Sequence, residues 1–579
     1  MASGCIACPK CGSDVSFTSV DQLNVPVFSP AALSLRNNDL PNASDIHSLK
    51  ESAQYIDDAL GHVEADIHRL SDILSRLEEK QTLFRDAQKT HKIILSPIRR
   101  LHPDVLVQIF LATGPSYVSD PCAYNVFDVS SGPWLVGQVC SKWRAVVASH
   151  SALWSTMWLN VSWPLGDIFH NLDILTWRHV GELKGPIPLL NSALSRSGQH
   201  NLSFQFSCDN QTDTEILEIM STLFHLLSSH CKRWENVYLR IPASIAAALS
   251  SIRGLLPMLT CLKLSFLEAD EQLPLHIDAF SIAPRLARAQ LIDVPDGIHV
   301  YLAKPGLVHF LEHRSGNAPA NTYLLDIIQM SPHLRNFLVR AARGRQLDSE
   351  TTPSPRVIST SLRELQACDG EFLRSLVLPA LEAILILPFF DELACPPDTL
   401  AGLHTLLSQS RCSLTRLAMK LVTPDDHLSA ILELVPTLTS LTFEQCYTGR
   451  QPWPESDGDV YQKIITRMKT TSVDSSGRPH HLLLPNLEKL SFTIMADPPQ
   501  DTHSHCIVNH DFAEMVISRW DSYDEPSLSS VSVEFQSSSP WELPGLLPDD
   551  IASLKHRKTE QFDIVIRSRT FSSGTIEYV

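Results

Sequence analysis

From Ile46 the apolar positions advance by alternate steps of three and four residues. Ile46, Leu49, Ala53, Ile56, Leu60, Val63, Ile67, Leu70, Leu74, Leu77, Gln81, Phe84 and Gln88 keep that rhythm without a break. Over about six heptads such spacing predicts one long helix with an a/d seam. Glu64, Asp66, Arg69, Arg76, Glu78, Glu79 and Lys80 flank the seam, as the solvated surface of a coiled coil requires. The seam has two outlets: a second copy, giving a homodimer, or the remainder of the same chain. Polar Gln81 and Gln88 weaken its carboxyl-terminal end.

Between Ser96 and Trp158 the pattern shortens. Pro103 stands where a first helical turn opens, because its fixed φ suits that turn and its missing N–H is not needed there. A helix from Pro103 to Leu111 is predicted, with Val105, Leu106, Ile109 and Phe110 as one apolar stripe and Asp104 and Gln108 on the polar side. A second helix, Trp134 to Ser149, carries Leu135, Val139, Trp143 and Val146 inward and Lys142 and Arg144 outward. Leu153 and Trp154 close the module. Two helices this short cannot bury both faces on each other, so part of the apolar surface must meet another domain or another protein.

The remaining two-thirds repeat a frame. Pro257-x-Leu259-x-x-Leu262-x-Leu264 returns at Pro284 to Leu291, Pro332 to Val339, Pro379 to Ile386, Pro436 to Phe443 and Pro485 to Phe492. It survives without proline at Leu362-x-x-Leu365, Leu414-x-x-Leu417 and Leu528-x-x-Val531-x-Val533, and Trp234-x-x-Val237-x-Leu239 reads as the first unit. In each, the last apolar residues belong to a short strand and the preceding leucine closes the turn into it. Helical spacing fills the gaps at Ile216 to Leu227, Tyr323 to Met330, His427 to Leu434 and Phe512 to Trp520. Gly344 to Thr360 and Gly449 to His481 are rich in Ser, Pro and Asp and read as surface insertions, with Val460 to Met468 a short helix in the second.

Two resemblances follow from these residues. Leu101, Pro103, Asp104, Leu106, Ile109 and Phe110 resemble the first helix of an F-box. Val139, Cys140, Lys142, Trp143 and Arg144 are similar to its Val-Cys-(Lys/Arg)-x-Trp-(Arg/Lys) box with one position slipped, and Leu153-Trp154 to its closing pair. His102, Asp104 for Glu, and a long loop from Gly114 to Gly132 depart from the pattern. The repeat resembles an irregular leucine-rich repeat of the F-box-associated kind, and the whole chain looks like the large F-box families of mushroom-forming fungi. The resemblance implies an α/β chain in four parts: a cysteine-containing tail (1–45), a heptad helix (46–95), an F-box-like helical module (96–160), and a leucine-rich-repeat solenoid with a parallel sheet (161–579). It implies a non-catalytic substrate receptor that docks on a Skp-type adaptor of a cullin-RING ubiquitin ligase through Leu101, Pro103, Leu106, Ile109, Phe110 and Trp143, while the repeats select an unknown protein target. The competing expectation is a coiled-coil scaffold that engages no ligase.

Composition narrows this picture only at its margins. The net charge of -17 repels phosphate backbones, so no nucleic-acid partner is expected. No apolar run is long enough for a membrane helix, so no membrane partner is expected and the cytoplasm or nucleus is. Thirteen cysteines, mostly inside apolar segments, suit reduced thiols. Cys5, Cys8 and Cys11 have a spacing that grips a soft metal such as zinc but lack a near fourth ligand, and His503, His505, Cys506 and His510 form a weaker cluster. No cofactor is otherwise expected. No phosphate-binding glycine loop, His-Glu-x-x-His or Gly-x-Ser-x-Gly motif is present, in keeping with a chain that binds and does not catalyse.

Overall fold

The computed structural model describes residues 43–112, 124–160, 185–207, 214–267, 275–344, 355–392, 394–447, 455–473, 479–496, 507–521, 528–537, 546–558, 563–570 and 574–579. The chain divides into two compact units, one ending at Val105 and the other beginning at Leu106.

The first unit is dominated by α1, Ala43–Ile94, a single helix of 52 residues. At 1.5 Å per residue it is about 78 Å long. The heptad spacing, expected to give a helix over 46–95, therefore produced the element it predicted, which begins three residues earlier and ends one residue earlier. None of its residues is buried. Leu60, Ile67, Leu74 and Leu77 on the seam are all more than half exposed, and Phe84 is 75% exposed.

The second unit is a mixed α/β body built on one sheet of 15 strands. In chain order these are β1 Thr156–Asn160, β2 Leu202–Ser207, β3 Trp234–Ile241, β4 Cys261–Phe266, β5 Arg288–Val294, β6 His309–Asn317, β7 Asn336–Arg343 and β8 Glu364–Gln366. They continue as β9 Ala383–Ile386, β10 Arg416–Lys420, β11 Ser440–Tyr447, β12 Lys489–Ala496, β13 Ser530–Ser537, β14 Asp563–Thr570 and β15 Gly574–Glu577. Each strand lies beside the next, all pairs parallel until β15, which turns back antiparallel on β14. The predicted strand residues fall in one register row, completed by Phe310, which was not predicted: Val237, Leu262, Ala289, Phe310, Phe337, Leu365, Ile384, Leu417, Leu441, Leu490 and Val531 are successive cross-strand neighbours.

Two features hold the stack. The turn leucines Leu259, Leu286, Leu334, Leu362, Leu381, Leu414, Leu438, Leu487 and Leu528 are completely buried, one above another. Ahead of each strand the backbone of one turn bonds the next: Ala287 N donates to Thr260 O at 2.9 Å, Val308 N to Ala287 O at 2.8 Å, Arg335 N to Val308 O at 2.8 Å, and so on to Ser529. The turns are thus an extension of the sheet ladder, and their polar groups are satisfied without water. The predicted helices appear as Thr214–Ser228, Asn321–Met330, Asp426–Glu433 and His510–Trp520. They cover one face of the sheet through aromatic contacts, Phe206 with Phe224 at 6.1 Å and Phe492 with Phe512 at 6.3 Å. Asp425 and Asn509 cap two of them.

Several expectations need correction. Trp234 does not begin the sheet, since β1 and β2 precede it. β1 lies inside the stretch 96–160, so the helical module runs into the sheet as its edge strand. A unit at Leu307-x-x-Phe310 went unread because Glu312 occupies its last apolar position. That carboxylate is buried with Arg314 at 2.8 Å, and burial raises its pKa against the pull of the guanidinium. The short helix expected at Val460 to Met468 in the second insertion is present and longer, Glu455–Lys469, and it is not a surface decoration, since Tyr461, Ile464, Ile465 and Met468 are buried. Arg519, wholly buried in His510–Trp520, fastens it by donating to Met468 O at 3.0 Å and Leu484 O at 2.8 Å. With only neutral carbonyls around it, burial lowers the guanidinium pKa to about 10.

Leu381→Ala removes one member of the buried leucine stack and is expected to cost about 3 kcal/mol, because flanking turns tied by backbone bonds cannot collapse into the cavity. Chemical denaturation compared with the exposed Leu434→Ala, expected to shift stability by less than about 1 kcal/mol, checks this.

Candidate functional site

The candidate site is the helical module at the amino edge of the second unit. α2, Pro103–Ala112, forms where predicted, but its inward face is Leu106, Val107 and Phe110, whereas Val105 is exposed. The apolar stripe is rotated from the expected one by the choice of Val107 over Val105. The predicted second helix is two: α3, Gly132–Val139, and α4, Ser141–Ser149, separated by Cys140 in extended conformation (φ -162°, ψ 169°). Gly137 and the β-branched Val136 and Val139 make the end of α3 a weak place for a continuous helix. Arg144 Nε, reaching back to Gly137 O at 3.0 Å, satisfies a carbonyl freed by the break. The break changes which residues face inward. Trp134, Val146 and Val147 are buried, while Leu135 and Val139, expected inside, are 49% and 58% exposed.

An aromatic cluster closes the interior. Trp134 and Trp154 meet edge to face at 4.7 Å, and Tyr124 stands edge-on to Trp154 at 6.2 Å. Trp134 Nε1 donates to Val126 O at 3.1 Å and Trp154 Nε1 to Val147 O at 2.9 Å, so both indoles are buried with their polar edges satisfied. The Arg196 guanidinium, from the helix Pro186–Arg196, lies 5.0 Å from the Trp134 ring and 4.7 Å from that of Trp154. This cation-π contact joins the module to the first helix behind the sheet. Burial pushes the Tyr124 phenol well above its ordinary pKa, with Arg196 opposing the shift. On the other side, Trp158 N donates to Tyr124 O at 2.8 Å and Val126 N to Trp158 O at 2.9 Å, extending the sheet by one bridge beyond β1.

The six expected docking residues separate into two classes. Leu106 and Phe110 are buried within the chain, with Phe110 tilted against Trp143 at 4.9 Å. They hold the module together and cannot present themselves to a partner. Leu101, Pro103, Ile109 and Trp143 are half-buried. Leu111, at the end of the first predicted helix, and Leu135 and Val139, expected inside, are exposed apolar side chains. The last two lie on α3, whose inward face is taken by Trp134.

Cys5, Cys8 and Cys11 lie outside the described residues, as do His503, His505 and Cys506. His510 is described and is committed elsewhere: its Nδ1 is 2.9 Å from Asp550, which raises its pKa. Among the described residues no cluster of His, Cys, Asp or Glu could hold a metal ion, and no helix is long and apolar enough to cross a membrane. No protein-family model and no curated protein matches this chain.

Gly132 has a left-handed backbone (φ +53°), and a Cβ there would lie 2.4 Å from the Tyr124 side chain. Gly132→Ala is therefore expected to destabilise the module by about 2 kcal/mol or more. Its near-ultraviolet circular dichroism, dominated by the Trp134–Trp154 pair, should weaken while the far-ultraviolet signal of the sheet stays.

Proposed function

We propose that the chain is a non-catalytic F-box-type substrate receptor, whose helical module engages a Skp-type adaptor of a cullin-RING ubiquitin ligase and whose leucine-rich-repeat solenoid selects a protein target. The observation that carries this reading is the module's exposed apolar surface. Its interior is already closed by Trp134, Trp154 and Tyr124, yet Leu135 and Val139 remain in solvent on an otherwise satisfied pair of helices. Apolar side chains left outside a completed core are the residues a protein partner covers. The docking face on this reading consists of Ile109, Leu111, Leu135, Val139 and the accessible part of Trp143. Leu101 and Pro103 stay adaptor candidates from the sequence resemblance. Leu106 and Phe110 support the face from beneath.

The chemistry is positional. A receptor that holds a target close to a ubiquitin carrier converts an encounter between two molecules into one within a single assembly, and the gain is effective concentration and orientation. The sheet suits the target-binding role because, among the described residues, helices cover one of its faces and leave the other open. A second copy, paired through the a/d seam of α1, is the occupant proposed for that helix, which buries none of its own residues.

Copurification of a Skp-type adaptor with the full chain tests the receptor reading. Ile109→Asp and Val139→Asp should each abolish capture while leaving the thermal midpoint within about 3 °C of the parent. Leu106→Asp should instead unfold the module, because a charge would be placed in its interior. Retained capture by the Ile109→Asp/Val139→Asp double variant would sink the docking face, and no capture by the parent would sink the receptor.

Sedimentation equilibrium tests the seam. The full chain is expected to be a dimer that dissociates when Ile67 and Leu70 are replaced by Asp; a monomeric parent refutes the pairing.

A further inference from the structure

The uncovered face of the sheet carries a charge opposite to that of the chain. Side chains on this face fall into rows set by the strand register. One row, at the amino ends of the strands, runs Arg288, His309, Asn336, Glu364, Ala383, Arg416. The next inward runs Leu311, Leu338, Gln366, Leu385, Ala418. Beyond it His313 neighbours Arg340, and Lys420 neighbours Glu444. From β3 to β11 this face holds Arg240, Lys263, Arg288, Arg340, Arg416 and Lys420 against three carboxylates, Asp293, Glu364 and Glu444, in a chain whose net charge is -17. The nearby carboxylates are engaged: Glu364 by Asn336 and Arg416, Glu444 by Lys420, and Asp293 by His313 Nδ1 at 3.0 Å.

The row beyond it, where His313 neighbours Arg340, carries a built corner. Phe390, 41% exposed, is anchored by its backbone N–H on Ala341 O at 3.0 Å. The Arg340 guanidinium lies over its ring at 3.6 Å, and His313 meets the ring edge-on at 4.3 Å. Arg340 Nε is buried from water without a hydrogen-bond acceptor among the described residues. That buried Nε is not the donor an incoming group would meet; what the corner offers is the guanidinium charge itself, held flat against a partly exposed aromatic ring.

We infer that this face holds an extended acidic protein segment, its carboxylates on Lys263, Arg288 and Arg340 and its apolar side chains on Leu311, Leu338 and Leu385. The inference rests on the receptor reading and names the class of its target. Five inter-strand steps from β4, which carries Lys263, to β9, which carries Leu385, span about 24 Å, the length of about seven extended residues. Within a Debye length of about 10 Å these local cations outweigh the distant negative charge of the chain. A single-stranded nucleic acid fits less well. The lane is aliphatic where base stacking needs a series of aromatic rings, and the total charge repels phosphates.

Fluorescence anisotropy with the full chain, purified without any adaptor, tests this. The probe is a peptide of about twelve residues alternating Glu and Leu, compared with its Lys–Leu counterpart and with an oligonucleotide of similar length. The Glu–Leu peptide is expected to bind, and to bind about tenfold more weakly when salt rises from about 50 to about 500 mM. Arg288→Glu/Arg340→Glu should weaken it about tenfold or more with an unchanged thermal midpoint. Lys555→Glu, on the helix Pro548–Arg557, should leave binding as it was. Failure of the Glu–Leu peptide to bind, equal binding of the Lys–Leu peptide, tighter binding of the oligonucleotide, or an unaffected double variant would each overturn the inference. Adaptor capture is read separately, so the receptor reading survives any of these results.

Discussion

The second unit depends on one arrangement, the stacking of a buried leucine at the turn before each strand from β4 to β13 on the leucine of the next turn. A parallel strand cannot be joined to its neighbour by a tight hairpin, so every strand from β2 to β14 is reached by a crossover, and each crossover must return to the same height. The leucine stack sets that height by burial, and the bonds between Thr260, Ala287, Val308, Arg335 and their successors set it again by backbone pairing. With the turns fixed, the strands enter in register, and alternation then divides the side chains into a face covered by helices and a face that is not. The polar and charged rows opposite the helices are a consequence of that division.

The same logic explains how the helical module is held. It does not dock on the sheet as a separate body. Its closing residues Leu153 and Trp154 lead directly into β1, the stretch around Asn125 bridges to Trp158, and Arg196 reaches back over both tryptophans. An aromatic cluster with satisfied indole N–H groups tolerates little displacement, so the orientation of α3 and α4 is set by the sheet edge. The exposure of Leu135 and Val139 is the price of bringing Trp134 inward.

Legibility in the chain was uneven, for reasons that can be named. Heptads and the Leu-x-x-Leu frame were readable because burial repeats with a period longer than local noise; α1 and nine of the strand positions follow from them directly. The frame failed at Leu307-x-x-Phe310, where Glu312 breaks the apolar pattern yet is buried with Arg314 and Tyr323. A buried ion pair looks in sequence like a surface residue. The first two strands were missed because β1 follows a helical module without a turn signal. The helix break at Cys140 was hidden by side-chain spacing that continues smoothly across it.

The sequence by itself determined the long helix, the position of α2, and a parallel sheet whose strands follow turn leucines, because each of these depends on periodic burial or on a local backbone preference. Tertiary structure alone decided which apolar residues of the module are available to a partner. It also decided which charges share the open face of the sheet. Arg288, Arg340 and Arg416 are more than a hundred residues apart from first to last, and only the register of β5 to β10 makes them one surface. Side-chain neighbours across a sheet depend on non-local pairing, and no window along the chain contains that information.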